Sequence, residues 1–193
     1  EANWTPENLR RTGADYPTEV SRLYLALADM SPAALDHVRA AASEATRGAQ
    51  TNYDRVERLV QYISKRCAYN TGAAAVPSDR DVVEYFLFDA KEGYCDSFAS
   101  ALAVMCRSIG IPARTASGFT PGELDESTQW HIVRDKDRHL WTEVFFPSVG
   151  WIAFDATTDA ADHSPAQSGQ GIKRPTLADL LLRRGWLPPL ALA

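Results

Sequence analysis

The sequence predicts an α+β domain in which helices come first and an antiparallel sheet second. Two observations carry that prediction. From residue 31 to residue 109 apolar residues recur at helical spacing between recognisable helix starts and stops, and beyond that point four short β-branched and aromatic runs alternate with turn material. The chain also has 193 residues, 45% hydrophobic and 23% charged, enough for one domain with a buried core and too few for two comfortable ones.

Residues 1–22 are polar, contain prolines and show no sustained period, so they are expected as an extended leader over the surface. Ser31-Pro32 sets a hydroxyl cap before a proline whose missing N–H is harmless in a first turn, and the Ala-rich run that follows stops at Gly48. Val56, Leu59, Val60, Ile63 and Cys67 make an apolar stripe on a second helix beginning after Asn52. Ser78 with Asp81 three residues later resembles the start of a short helix carrying Val82, Tyr85, Phe86 and Phe88, while 68–77 and 89–94 are expected as loops. Residues 95–109 form the central helix, stopped by Gly110 with Pro112 just beyond. Strands are expected over 113–119, 129–134, 138–146 and 151–155. A Ser/Gly/Gln/Ala-rich linker then leads to a Leu-rich amphipathic helix over 176–186. The resulting organisation is a leader (1–22), a folded domain (23–160) and a linker with a short C-terminal helix (161–193).

Charge and composition remove several function classes. Twenty Lys and Arg stand against twenty-five Asp and Glu, a net charge of −5 with no basic stripe, which excludes nucleic acid as the partner. No window of about 18 uninterrupted apolar residues is present, nor a charged-then-apolar signal segment at the start. The chain opens on Glu1 and reads as a processed product or excised fragment. Cys and His occur singly, without CxxC or HExxH spacing, no Gly-rich phosphate loop is present, and no acidic cluster has calcium-loop spacing, so no metal or cofactor is expected. Three cysteines exclude a disulfide scaffold, although a Cys67–Cys106 bridge stays open.

Cys95 is the candidate nucleophile. It stands in the first turn of the central helix, where unsatisfied N–H groups and the positive end of the helix dipole favour a thiolate, against the commoner fate of an inert buried cysteine. Cys95, Phe98, Leu102, Met105 and Ile109 share the helix face that must pack on the sheet. His37 and His163 read as surface residues, leaving His131 and His139. His139 shares a strand face with Trp141, Glu143 and Phe145, and pairing Phe145 with Trp151 sets Trp141 opposite Asp155 with His139 as its diagonal neighbour. The alternative is a solvated strand histidine beside an aspartate that starts a turn.

Three ordered blocks then carry a family resemblance: 92–100 with 109–114, His139-Leu140-Trp141-Thr142-Glu143-Val144, and 150–157. Together with the 79–88 segment they resemble the bacterial transglutaminase-like superfamily over about residues 23–160, in the branch whose domain hangs outside the cytoplasmic membrane between transmembrane helices. The resemblance implies a papain-like fold, a catalytic Cys95, His139 and Asp155, and membrane anchoring through segments absent from this chain. Leu140 and Ala156 depart from the family pattern, which has a small residue and a proline there. The implied chemistry is acyl transfer from a protein or peptide glutamine to an amine or to water, with the Cys95 N–H and a side chain, Tyr69, as oxyanion donors. A cysteine protease or amidase using the same trio, or a peptide-binding module without turnover, are the alternatives.

Overall fold

The computed structural model describes residues 4–27 and 30–157, so the expected linker and C-terminal helix lie outside the described residues. The chain begins with two short helices, α1 (Pro6–Arg10) and α2 (Thr18–Tyr24), where an extended leader was expected. Thr5 caps α1 by accepting the Asn8 N–H, Pro6 occupies its first turn, and Leu9 is fully buried against the core. This is the same hydroxyl-proline grammar as Ser31-Pro32, but a five-residue helix is too short to display a period. Tyr24 meets Trp151 edge-on with ring centroids 4.6 Å apart, so the segment covers part of the sheet's outer face.

The next two helices follow their sequence signals. α3 (Pro32–Ala45) is capped by Ser31, and α4 (Asn52–Arg66) by Thr51, one residue before the expected start. Val56, Leu59 and Ile63 on α4 are completely buried, each contributing about 1.5–3 kcal/mol of transfer free energy. Asp81 alone caps α5 (Val82–Glu84), accepting the N–H groups of Val83 and Glu84. The register therefore differs from a start at Ser78, and Val83 is buried while Val82 is exposed. A π-helical turn, Tyr85–Ala90, follows and ends at Lys91 in the left-handed region.

Two segments expected as loops pair instead. β1 (Ala68–Tyr69) and β2 (Glu92–Gly93) form a parallel two-residue ladder just ahead of α6 (Cys95–Ser108). Gly93 makes this possible, since a Cβ there would lie 2.7 Å from Ser97 Oγ and 3.0 Å from the Phe86 ring. The sheet has the order β3 (Ala113–Phe119), β6 (Arg138–Phe146), β7 (Gly150–Phe154), all antiparallel. The expected Phe145–Trp151 pairing is observed. Thr142, Val144 and Phe146 form the buried face against α6, and Thr142 donates its hydroxyl to Ala99 O at 2.8 Å. The expected 129–134 strand narrows to β5 (Trp130–Ile132), which pairs with β4 (Glu123–Asp125) in a hairpin apart from this sheet. Trp130 is 72% exposed there. Among the described residues no helix is long and apolar enough to cross a membrane.

Candidate active site

His139, near the start of β6, pairs with Asp155, just past the end of β7, and Cys95 lies against Leu140, the residue that follows His139. Cys95 is the first residue of α6. Packing of α6 on the sheet brings its thiol under the backbone N–H of Leu140, the residue after His139. Leu140, a departure from the family pattern, thus acts through its main chain. His139 Nε2 lies 2.6 Å from Asp155 Oδ2, and both side chains are nearly excluded from solvent.

Asp155 is held from its other side as well. Thr157 donates both its N–H and its hydroxyl to Asp155 Oδ1, each at 3.0 Å. Burial pushes this carboxyl upward, but the hydrogen bonds from His139 and Thr157 outweigh it and leave the group below the ordinary carboxylate range. The Asp-Ala-Thr turn provides this hold through Thr157, so alanine in place of the family's proline costs no hydrogen bond. Thr157 escaped the sequence reading, although an aspartate followed two residues later by threonine is the signature of such a turn.

The thiol itself differs from expectation. Burial pushes the Cys95 thiol up, the N–H groups of Leu140 and Asp96 pull it down, and the Asp96 charge opposes ionisation. Cys95 Sγ is 3.5 Å from Asp96 Oδ1. The helix N-terminus is present, but desolvation and the adjacent carboxylate outweigh it. Tyr69, brought alongside by the β1–β2 ladder, has its phenol raised by burial first and then by the Cys95 thiolate, while the Cys95 N–H pulls it down. Gly118, paired with His139, leaves room for the Trp141 ring, which a Cβ would approach to 2.8 Å.

The remaining candidates are elsewhere. His131 sits on the exposed β5, and His37 bonds Glu84 and stacks on Phe88; His163 is outside the described residues. Cys67 and Cys106 are free thiols, so the bridge left open by the sequence does not form. Desolvation pushes Cys67 up to about 11 and Cys106 up to about 12. Limiting iodoacetamide on the native protein is therefore expected to label Cys95 first, with peptide mapping as the readout. Asp96→Asn should speed that labelling by removing the neighbouring charge. Label appearing first on Cys67 or Cys106 would contradict this ranking.

With the geometry in place, the chain can be compared with known proteins. The family description of the transglutaminase-like superfamily matches residues 39–156. The chain belongs to the transglutaminase-like superfamily. YebA of Bacillus subtilis is 36% identical over 155 residues, 77% of this chain and 20% of that protein. A protein-glutamine gamma-glutamyltransferase of Pseudomonas aeruginosa is 36% identical over 99 residues, 51% of this chain and 14% of that protein. The chain thus spans a small fraction of either curated relative. The crystal structure of the periplasmic domain of TgpA from Pseudomonas aeruginosa superposes with a TM-score of 0.67 at 28% identity, covering 80% of this chain and 52% of that one. The helices and antiparallel sheet thus form the papain-like fold of the transglutaminase-like superfamily, a family that includes named transglutaminases.

Proposed function

We propose that the protein is a thiol-dependent acyltransferase that uses Cys95, His139 and Asp155, joining protein or peptide glutamine to primary amines. The observation that carries this reading is the 2.6 Å His139–Asp155 pair, set on the strand whose next N–H reaches the Cys95 thiol. Nε2 is held by Asp155, so Nδ1 is the ring atom that exchanges a proton with Cys95. The thiolate attacks the glutamine carboxamide carbon, the C–N bond breaks, and ammonia leaves with the proton from His139. A thioester results. A primary amine then attacks the thioester carbon, His139 takes its proton, and the sulfur leaves to restore the thiol. In this reading the Cys95 N–H and the Tyr69 hydroxyl donate to the oxyanion of each tetrahedral intermediate, which the closeness of the Tyr69 oxygen to the Cys95 N–H supports. Water in place of the amine makes the same trio an amidase.

The same relatives support a reading of where this domain sits in the cell. The TgpA match is a periplasmic domain, which supports an extracytoplasmic domain attached to a membrane through other parts of a longer protein. Its substrates are then proteins or peptides on that side of the membrane.

Intact-mass analysis decides the reaction. Incubation with a glutamine-containing protein and a primary amine is expected to add the amine with loss of ammonia, and omission of the amine to give slow deamidation. Fragments from peptide-bond cleavage without amine addition would assign the site to a protease instead. A second expectation concerns the acidic partner. Asp155→Asn keeps the Oδ1 acceptor for Thr157 but no longer supports an imidazolium, so turnover should fall on the order of 10⁴-fold with the fold intact. The depressed Asp155 pKa stabilises the native state above the unfolded carboxylate value of about 3.9, and this stabilisation is lost as pH falls through the folded value. The gap in Tm between parent and variant should accordingly close on acidification; a gap that widens there would assign Asp155 a different role.

A further inference from the structure

Gly118 stands inside β3 at a position whose backbone does not call for glycine. It pairs with His139 on β6, and its φ is not positive. What requires glycine is a neighbouring side chain. A Cβ at position 118 would lie 2.8 Å from Trp141 Cη2 and 3.2 Å from Cζ3, so the indole fills the space that any larger residue would need. Trp141 and His139 are two residues apart on β6 and project from the same face. The ring therefore crosses from its own strand to the place beside the imidazole.

The other flank of His139 is Asp155. Phe154 pairs with Thr142, so Asp155, one residue on, comes level with Trp141, and it holds His139 Nε2 at 2.6 Å. An ionised carboxylate only accepts, so Nε2 carries the shared proton. The two side chains are 10% and 5% exposed, and a charge-assisted hydrogen bond strengthens as water is excluded from it. Such a bond needs a cover. The Trp141 ring is apolar except at Nε1, which is buried with no hydrogen-bond partner among the described residues. An orphaned N–H of this kind costs about 1–3 kcal/mol, so packing over Gly118, and no hydrogen bond of the indole among the described residues, sets where the ring lies.

We propose that Trp141 is the positioning residue of His139: its indole, seated over Gly118, walls the imidazole on the β3 side and keeps water from the His139–Asp155 bond. β6 is the middle strand, so β3 and β7 supply opposite walls, one apolar and one anionic. With the β3 side filled, the imidazole is held from turning away from Asp155, and Nδ1 stays directed for proton exchange with Cys95. Trp141 takes no part in the chemistry and acts through the histidine. The expected effect on rate rests on the acyltransferase reading, whereas the cover itself rests on geometry.

A double-mutant cycle tests the coupling. Gly118→Ala adds one methyl group and forces the rigid indole aside; it is expected to lower kcat about 100-fold, the scale of a misplacement of about 1 Å, with KM within about twofold of the parent. Trp141→Phe removes the two ring atoms that meet position 118 and should lower kcat about tenfold. In the double variant the methyl group has room, so kcat should be no lower than in Trp141→Phe alone. Losses that add, about 1,000-fold in the double variant, or a change confined to KM, overturn the proposal. A second measurement needs no turnover and covers the case in which Gly118→Ala does not fold. The His139 Nε2 proton is expected as a slowly exchanging downfield magnetic resonance signal of the parent, assigned by its loss in His139→Ala. Trp141→Phe and Trp141→Ala should speed its exchange with water about tenfold or more while Asp155 is still in place. Exchange at the parental rate in Trp141→Ala, or a parental proton that exchanges as fast as that of free imidazole, overturns the proposal. A parent inactive on every donor sinks the acyltransferase reading alone, and the exchange rates then decide the cover.

Discussion

Cys95→Ala is expected to bring amine incorporation into protein glutamine down to the uncatalysed background, a loss on the order of 10⁵ to 10⁶ in turnover. The reason is chemical: no other thiol can take its place. Cys106 is fully buried and Cys67 is 3% exposed, and burial holds both thiols far from ionisation. The structural cost of the change is small, because Cys95 lies at the edge of the core and alanine preserves the helix start. The control runs the other way: Cys106→Ser places a hydroxyl in the apolar core and should lower Tm while native-state turnover per folded molecule persists. Amine incorporation by Cys95→Ala at the parental rate would remove the nucleophile from the proposal.

The elements that position this site differ in how visible they are along the chain. The central helix is legible because it has fourteen residues, strong helix formers and a glycine stop, and the β6–β7 register is legible because one short turn fixes it. The His139–Asp155 contact follows from that register alone. What sequence cannot show are the elements that exist only through tertiary partners. The β1–β2 ladder has two residues per strand and no period, yet it brings Tyr69 to Cys95. The α1 helix is one turn capped by Thr5, defined by where Leu9 is buried. The Trp141 ring lies over Gly118 of the neighbouring strand, a juxtaposition with no linear signature.

The thiol teaches a related lesson about magnitude. Position at a helix N-terminus favours a thiolate by the dipole and by local N–H groups, an effect of about 0.3–1 kcal/mol at exposed sites and up to about 2 when partly buried. Desolvation of a sulfur anion acts on the same group with the opposite sign, and at Cys95 it is the largest influence, reinforced by Asp96. On the proposed mechanism an imidazole partner is therefore needed for reactivity at neutral pH, and His139 is the residue proposed to supply it.

His139→Ala should accordingly lose on the order of 10⁴-fold or more in turnover, while His131→Ala stays within about twofold of the parent. His131 pairs with Leu124 in an exposed hairpin, whereas His139 is buried against Asp155. Removing the ring also withdraws one of Asp155's hydrogen bonds, so Tm should fall and rates must be compared well below the transition. The pH dependence of alkylation distinguishes chemistry from structure. On the proposed mechanism His139 takes the Cys95 proton in the parent, so Cys95 should react with iodoacetamide at a lower pH than an ordinary thiol of pKa about 8.5. In His139→Ala the thiol has only burial and Asp96 to set it, both of which oppose ionisation, so labelling should appear only at alkaline pH. Labelling profiles that coincide in parent and variant, or equal losses of turnover in His131→Ala and His139→Ala, would mean that Cys95 is activated by some group other than the β6 histidine.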